Sequence, residues 1–212
     1  MPGLIGEPTL TRLLGSIDAN NLVLLCGAGI SIASPSDLLS ARRVAQICYD
    51  QYRPIEELPP ALRDNISGLA GHFYDSGQFQ SVFLKKLVPW NELVGEPNSG
   101  HQAIGDLLAS RAASAALSTN FDTMIEQWAK SHKLAMRGAV EPHEAAPFAD
   151  LMAPLLKLHG CIDRTRDETL WALQQLAEPE VQGRLTGWAN WIHLNLPGKD
   201  LLIVGFWTDG AI

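Results

Sequence analysis

The feature that most constrains this chain is an apolar run that stops abruptly at glycine. Leu22-Val23-Leu24-Leu25-Cys26 carries no polar side chain, and Gly27-Ala28-Gly29-Ile30-Ser31 follows at once. A run so short and so uniformly apolar suits a strand covered on both faces, the condition of a parallel sheet. The glycines let the backbone turn and approach a ligand, and a following helix start would offer free N–H groups. The pattern recurs. Ala113 to Leu117 precedes Ser118-Thr119-Asn120-Phe121-Asp122, Pro154 to Leu158 precedes His159-Gly160, and Leu201 to Val204 precedes the cluster from Gly205 to Asp209. In an open parallel sheet the carboxyl ends of the strands form one rim, where ligands bind. The four clusters, scattered in sequence, are therefore expected to converge in space.

Helical spacing fills the intervals. Helices are expected over Thr9 to Asp18, from a Ser36 or Asp37 cap to about Tyr52, and from an Asn98 or Ser99 cap to about Ser110. Further helices are expected from the Asn120/Asp122 turn to about Lys130, over Glu168 to Leu176, and over Val181 to Leu194. Leu134 to Val140 reads as one more short strand. The stretch 54–97, punctuated by Pro54, Pro59, Pro60, Pro89 and Pro97, shows helical but no strand patterning and reads as a helical insertion on the rim. Strands alternating with helices predict an α/β fold: a Rossmann-like, doubly wound parallel sheet in a single domain over 1–212. The last strand lacks a following cover helix, so either it sits near a sheet edge or the chain is a fragment of a longer one, the second being the expectation.

Composition narrows the function classes. The 212 residues include 16 Lys+Arg and 23 Asp+Glu, a formal charge of −7, with 46% apolar residues. An acidic domain has no basic field to hold nucleic acid directly. No run approaches the ~18 apolar residues that span a bilayer, and Met1-Pro2-Gly3 does not begin a secretory signal, so no membrane partner is expected. Cys26, Cys48 and Cys161 form no CxxC pair, which fits reduced thiols in a cytoplasmic setting and is too few for a four-cysteine zinc site. The histidines show no metal spacing, so no metal is expected. GxGxxG is incomplete, arguing against an ordinary dehydrogenase, and GxSxG is absent.

Within the clusters, Gly27 and Gly29 are candidates for close approach to a ligand phosphate, though two glycines also make an ordinary strand-to-helix turn. His159 at a strand end can serve as an exposed general base; taken alone it is more simply a surface or capping histidine. Asn120 and Asp122 can be site residues or helix caps.

In order along the chain, the clusters resemble the sirtuin (SIR2) family. Gly27-Ala28-Gly29-Ile30-Ser31 matches its GAGIS loop, with Ser34 as the serine after it. Pro97-Asn98-x-x-His101 resembles its PNxxH helix start, Ser118-Thr119-Asn120-Phe121-Asp122 its TQNID segment, and His159-Gly160 the HG of the catalytic histidine. Gly205 to Asp209 resembles its late loop at the adenine ribose. Protein-deacylating members carry two CxxC pairs after the HG; here only Cys161 follows. The GIPDFR stretch is reduced to Pro35-Ser36-Asp37. These departures resemble the SIR2-like domains of bacterial antiphage systems, which hydrolyse NAD and lack the zinc ribbon.

The resemblance implies an NAD+ glycohydrolase, with NAD as substrate and no zinc. It implies Asn120, His159 and Asp122 as catalytic residues: Asn120 orienting water or ribose, His159 as general base, and Asp122 at the nicotinamide amide or the cationic transition state. It implies cofactor contacts from Gly27, Ala28, Gly29, Ser31, Thr119, Asn120, Gly205, Thr208 and Asp209. As partners it implies a sensor or activator module, Argonaute-like or ATPase, and a homo-oligomer. Two other readings stay open: an NAD-dependent protein deacylase, and a module that senses NAD or ADP-ribose without turnover.

Overall fold

The computed structural model describes residues 6–145 and 152–206. Its centre is a four-stranded, all-parallel sheet: β1 (Leu22–Cys26), β2 (Ala115–Ser118), β3 (Leu155–Lys157) and β4 (Asp200–Val204), in the order β3-β2-β1-β4. Register is continuous across it, with Val23 opposite both Ala115 and Leu201, and Ala116 opposite Leu155. β1, β2 and β3 are almost wholly buried, as their apolar runs require. β4 lies at an edge and alternates, with Leu201 and Ile203 exposed.

Six α-helices accompany the sheet among the described residues: α1 (Glu7–Asp18), α2 (Ala41–Tyr52), α3 (Ile66–Asp75), α4 (Ser99–Ala109), α5 (Met124–Ser131) and α6 (Pro179–Asn195). Period-two alternation sends Leu22, Leu24, Cys26 and Leu155 to one face, against Leu13 of α1, Ile104 and Leu108 of α4, and Trp128 of α5. It sends Val23, Leu117 and Leu156 to the other, against Trp188 of α6. Helices on both faces make the sheet doubly wound, the expected Rossmann-like α/β arrangement. The chain steps outward from β1 to β2 and β3, then returns to β4 on the opposite side of β1. The strand order therefore reverses between β1 and β4, where such sheets open a ligand crevice.

The stretch 54–97 is helical, with α3, a π-helix at Phe79–Leu87, and short 3-10 turns at Pro60–Leu62 and Trp90–Leu93. With α2 it builds a second core. Phe73 and Phe83 are fully buried and stack at 5.7 Å, and Tyr52 meets Phe73 edge-on at 4.8 Å. Ile162 and Ala172, downstream of β3, join this core, so the insertion packs against the loop that follows His159.

Three local expectations are corrected. The helix after the glycine loop starts at Ala41, capped by Ser40, whose hydroxyl accepts from the Arg43 N–H. Asp37 instead takes a left-handed conformation and Ser36 donates to the Glu96 carbonyl, so neither serves as the cap. Leu134 to Val140 forms no strand: only Ala139 makes a bridge, to Leu156. Glu168 to Leu176 holds no α-helix, only 3-10 turns at Arg166–Glu168 and Leu173–Ala177, because the Gln175 side chain accepts from Trp171 N–H and Ala172 N–H and fixes a tight turn.

Candidate functional site

The loops after β1, β2 and β4 meet at the carboxyl rim. Gly29 N–H donates to the Gly205 carbonyl at 2.7 Å, and Gly205 has φ +63°. A Cβ on Gly205 would lie 2.4 Å from Ile30 N, and one on Gly27 would lie 2.6 Å from Phe206 Cα. Glycine is needed at both places because two backbones touch. Ala28–Ser31 forms a single 3-10 turn rather than the start of a long helix. Thr119 N–H and Oγ1 both donate to the Cys26 carbonyl, joining the second loop to the first.

Ser31, His101, Asn120 and Asp122 form one buried network. Ser31 Oγ lies 3.1 Å from His101 Nε2 and donates to Asp122 Oδ2 at 2.9 Å. The Asn98 N–H points at His101 Nδ1 (3.2 Å), so Nδ1 is the bare nitrogen of a neutral ring and Nε2 carries the proton. Burial pushes the His101 imidazolium pKa down, against the opposing pull of Asp122, which agrees with a neutral ring. Asn120 Nδ2 donates to the Gly27 carbonyl (3.1 Å) and to Ser31 Oγ (3.3 Å). The Ser31 hydroxyl thus accepts twice and donates once, filling its capacity. It is no nucleophile served by a base, because His101 donates to it.

Asp122 is engaged on both oxygens, with Oδ1 accepting from Met124 N–H at the start of α5. Asp122 thus meets a free N–H at the start of α5, as a helix-capping carboxylate does. Asn120 differs: its Oδ1 is buried and has no hydrogen-bond partner. The Gly27 carbonyl holds the amide in this orientation, because a flipped amide would set oxygen against oxygen.

Below this network sits a residue that motif reading passed over. Lys157, 1% exposed, donates from Nζ to the carbonyls of Asn120 (3.3 Å) and Asp122, and pairs with Glu126 Oε1 at 3.5 Å. The signal was in the sequence: a lysine inside the apolar run Leu155-Leu156-Lys157-Leu158. A buried lysine needs partners, and here these are the backbone of the polar turn and a carboxylate.

His159 lies beyond the end of β3, two strands from β1. Its carbonyl accepts from Leu170 N–H at 3.1 Å. Burial holds the imidazolium pKa below its usual value, and the Arg184 charge adds to the effect, so the ring is neutral at neutral pH. Among the described residues no hydrogen bond joins His159 to Asn120. Phe121 ties the β2 loop to the segment after His159: its carbonyl accepts from Ile162 N–H, and its ring lies 4.8 Å from Trp171. Thr208 and Asp209 lie outside the described residues.

Burial pushes the Cys26 and Cys48 thiols up to about 12 and raises Cys161, so none is a ready nucleophile. Among the described residues no three His, Cys, Asp or Glu side chains gather to hold a metal ion, and no helix is long and apolar enough to cross a membrane. Compared with known proteins, the chain matches no family model and no curated sequence.

Proposed function

We propose that this rim binds NAD+ and hydrolyses its nicotinamide–ribose bond. The observation that carries the reading is the buried, unpartnered Asn120 Oδ1 beside the glycine loop at the reversal of strand order. A buried acceptor without a donor costs about 1–3 kcal/mol, and a water or a ribose hydroxyl would satisfy it. The C–N bond breaks with its electron pair passing to nicotinamide, which needs no acid to leave, and positive charge builds on the ribose as in glycoside cleavage. Water held at Asn120 attacks the ribose carbon and yields its proton to neutral His159. Ser31 and Asp122 act as positioning residues through Asn120. Gly27, Ala28 and Gly29 supply close backbone approach to the pyrophosphate, and Gly205 must exchange its hydrogen bond from Gly29 for this to happen.

The resemblance in motif order supports NAD as substrate, and the lack of paired cysteines favours hydrolysis over deacylation. An NAD-depleting role in bacterial antiphage defence, released by a sensor module or partner protein, follows from the same resemblance. The test is nicotinamide release from NAD+ by the chain, alone and within its native assembly. Asn120→Ala should abolish release while circular dichroism stays unchanged; release at the wild-type rate in that variant overturns the assignment.

A further inference from the structure

His101 closes a capping box at the start of α4: the Asn98 side chain accepts from His101 N–H, and His101 Nδ1 accepts from Asn98 N–H at 3.2 Å. Glutamate or glutamine usually fills this place, because each offers an acceptor to the cap N–H. An imidazole offers one only while it is neutral. The residue is 0% exposed, so solvent cannot stand in for a lost partner.

Two routes run from this box to the glycine loop. Asn98 Nδ2 donates to the Ile30 carbonyl at 2.7 Å and to the Ala33 carbonyl at 3.0 Å. His101 Nε2–H donates to Ser31 Oγ, which also accepts from Asn120 Nδ2 and donates to Asp122. One imidazole and one amide therefore tie the loop to α4, with every side-chain polar atom of both in use.

We infer that His101 is an acid switch on the glycine loop: protonation at Nδ1 breaks the capping box and releases the loop from α4. An imidazolium has two donors and no acceptor. A proton taken from water onto Nδ1 ends the bond from Asn98 N–H and sets donor against donor. Nε2–H still reaches Ser31, so the break falls on Asn98, the residue that holds the Ile30 and Ala33 carbonyls.

The surrounding charges set the direction. Burial pushes the His101 pKa down from 6.5, Asp122 in the turn before α5 pulls it up, and Lys157 of β3 pushes it down again. Glu126 of α5 is paired with Lys157, the Ala28–Ser31 turn and β2 carry no ionisable side chain, and Asp106 is the one other on α4. The latch is therefore closed at neutral pH and opens in acid, below 6.5. The switch rests on the NAD reading only in taking the glycine loop as a ligand contact.

Amide hydrogen exchange on the full chain across a pH series, expressed as protection factors, tests it, with the His101 ring resonances followed by NMR in the same samples. As the ring titrates, protection at Asn98, Gly29 and Ile30 should fall together by about tenfold, the scale of one lost buried hydrogen bond. His101→Gln keeps an acceptor for Asn98 N–H and a donor for Ser31 but does not titrate, so protection should hold through the same range. If His101→Gln does not fold, His159→Gln, which removes the other rim histidine of lowered pKa, should show the wild-type drop at the wild-type midpoint. Constant protection through the titration, or a ring that stays neutral until the chain unfolds, overturns the switch. So does loss at Asn98 without loss at Gly29 and Ile30, a drop that persists in folded His101→Gln, or a drop abolished by His159→Gln. These measurements contain no NAD+. A drop in protection without nicotinamide release from NAD+ would sink the hydrolase reading and leave the switch standing, and release with constant protection would do the reverse.

Discussion

Lys157 holds Asn120 from beneath: its buried ammonium donates to the Asn120 carbonyl at 3.3 Å, while the Asn120 side chain reaches the Gly27 carbonyl on the next loop. One strand residue thereby sets the conformation of the polar turn that follows another strand. Lys157→Met should leave two carbonyls and the Glu126 carboxylate buried without a cation. Breaking a buried pair from one side costs about 3–5 kcal/mol, read as a shift in the urea midpoint. Adding Glu126→Met should recover part of the loss. A single variant as stable as wild type would contradict the structural role.

The Ser31 hydroxyl joins three side chains, so its removal leaves donors and acceptors stranded. Ser31→Ala strips His101 Nε2 of its acceptor and Asp122 Oδ2 of its donor. A loss of about 1–3 kcal/mol is expected from unsatisfied buried groups, measured by chemical denaturation. A change within ~0.5 kcal/mol, the range for uninvolved surface positions, would show that the network is dispensable.

Gly205→Ala forces a side chain into a left-handed backbone against Ile30 N. The expected destabilisation exceeds about 1 kcal/mol, seen as a lowered Tm. The Gly29 amide should also lose hydrogen-exchange protection, because its acceptor is the Gly205 carbonyl. Protection unchanged in the variant would break the claimed link between the two loops.

Acid stability should report on Glu144. Burial pushes its pKa up, but the Arg164 hydrogen bond and the N–H groups of Val140 and Glu141 outweigh this and hold it at about 2. A folded-state pKa below the unfolded value stabilises the protein above the unfolded pKa. That contribution fades as pH falls from 4.5 toward about 2. Glu144→Gln should flatten this part of the stability profile, and an unaltered acid limb would refute the linkage.

Turnover of NAD+ should follow the neutral form of His159. Because its pKa is lowered from 6.5, the rate should hold to below that pH and fall only as the ring protonates. His159→Ala should cost about 10²–10⁴-fold in kcat. An acid limb above pH 6.5, or a variant with full kcat, would remove His159 from the base role.

Much of this was legible in the chain itself. β1 declared its burial on both faces by five unbroken apolar residues, and the cap of α4 was narrowed to Asn98 or Ser99, of which Asn98 accepts from Gly100 and His101 N–H. The illegible parts share a cause. Leu134 to Val140 has strand-like residues but pairs only at Ala139, since pairing depends on what lies beside it. The turn at 173–177 looks helical in spacing, but Gln175 captures the backbone groups a helix would use. Local pattern carries period and punctuation, not the partner across a gap.

The sequence by itself determined the α/β rhythm, the polar clusters at the strand ends, and the absence of paired cysteines. These depend on neighbours within a few residues, where periodicity and glycine placement speak directly. Only the tertiary structure decided that Ser31, His101, Asn120 and Asp122 share one network, with Lys157 beneath it. Ser31, His101, the Asn120–Asp122 turn and Lys157 are separated by some tens of residues or nearly so, and a buried polar atom's satisfaction is set by whichever distant atom the fold brings within hydrogen-bonding reach.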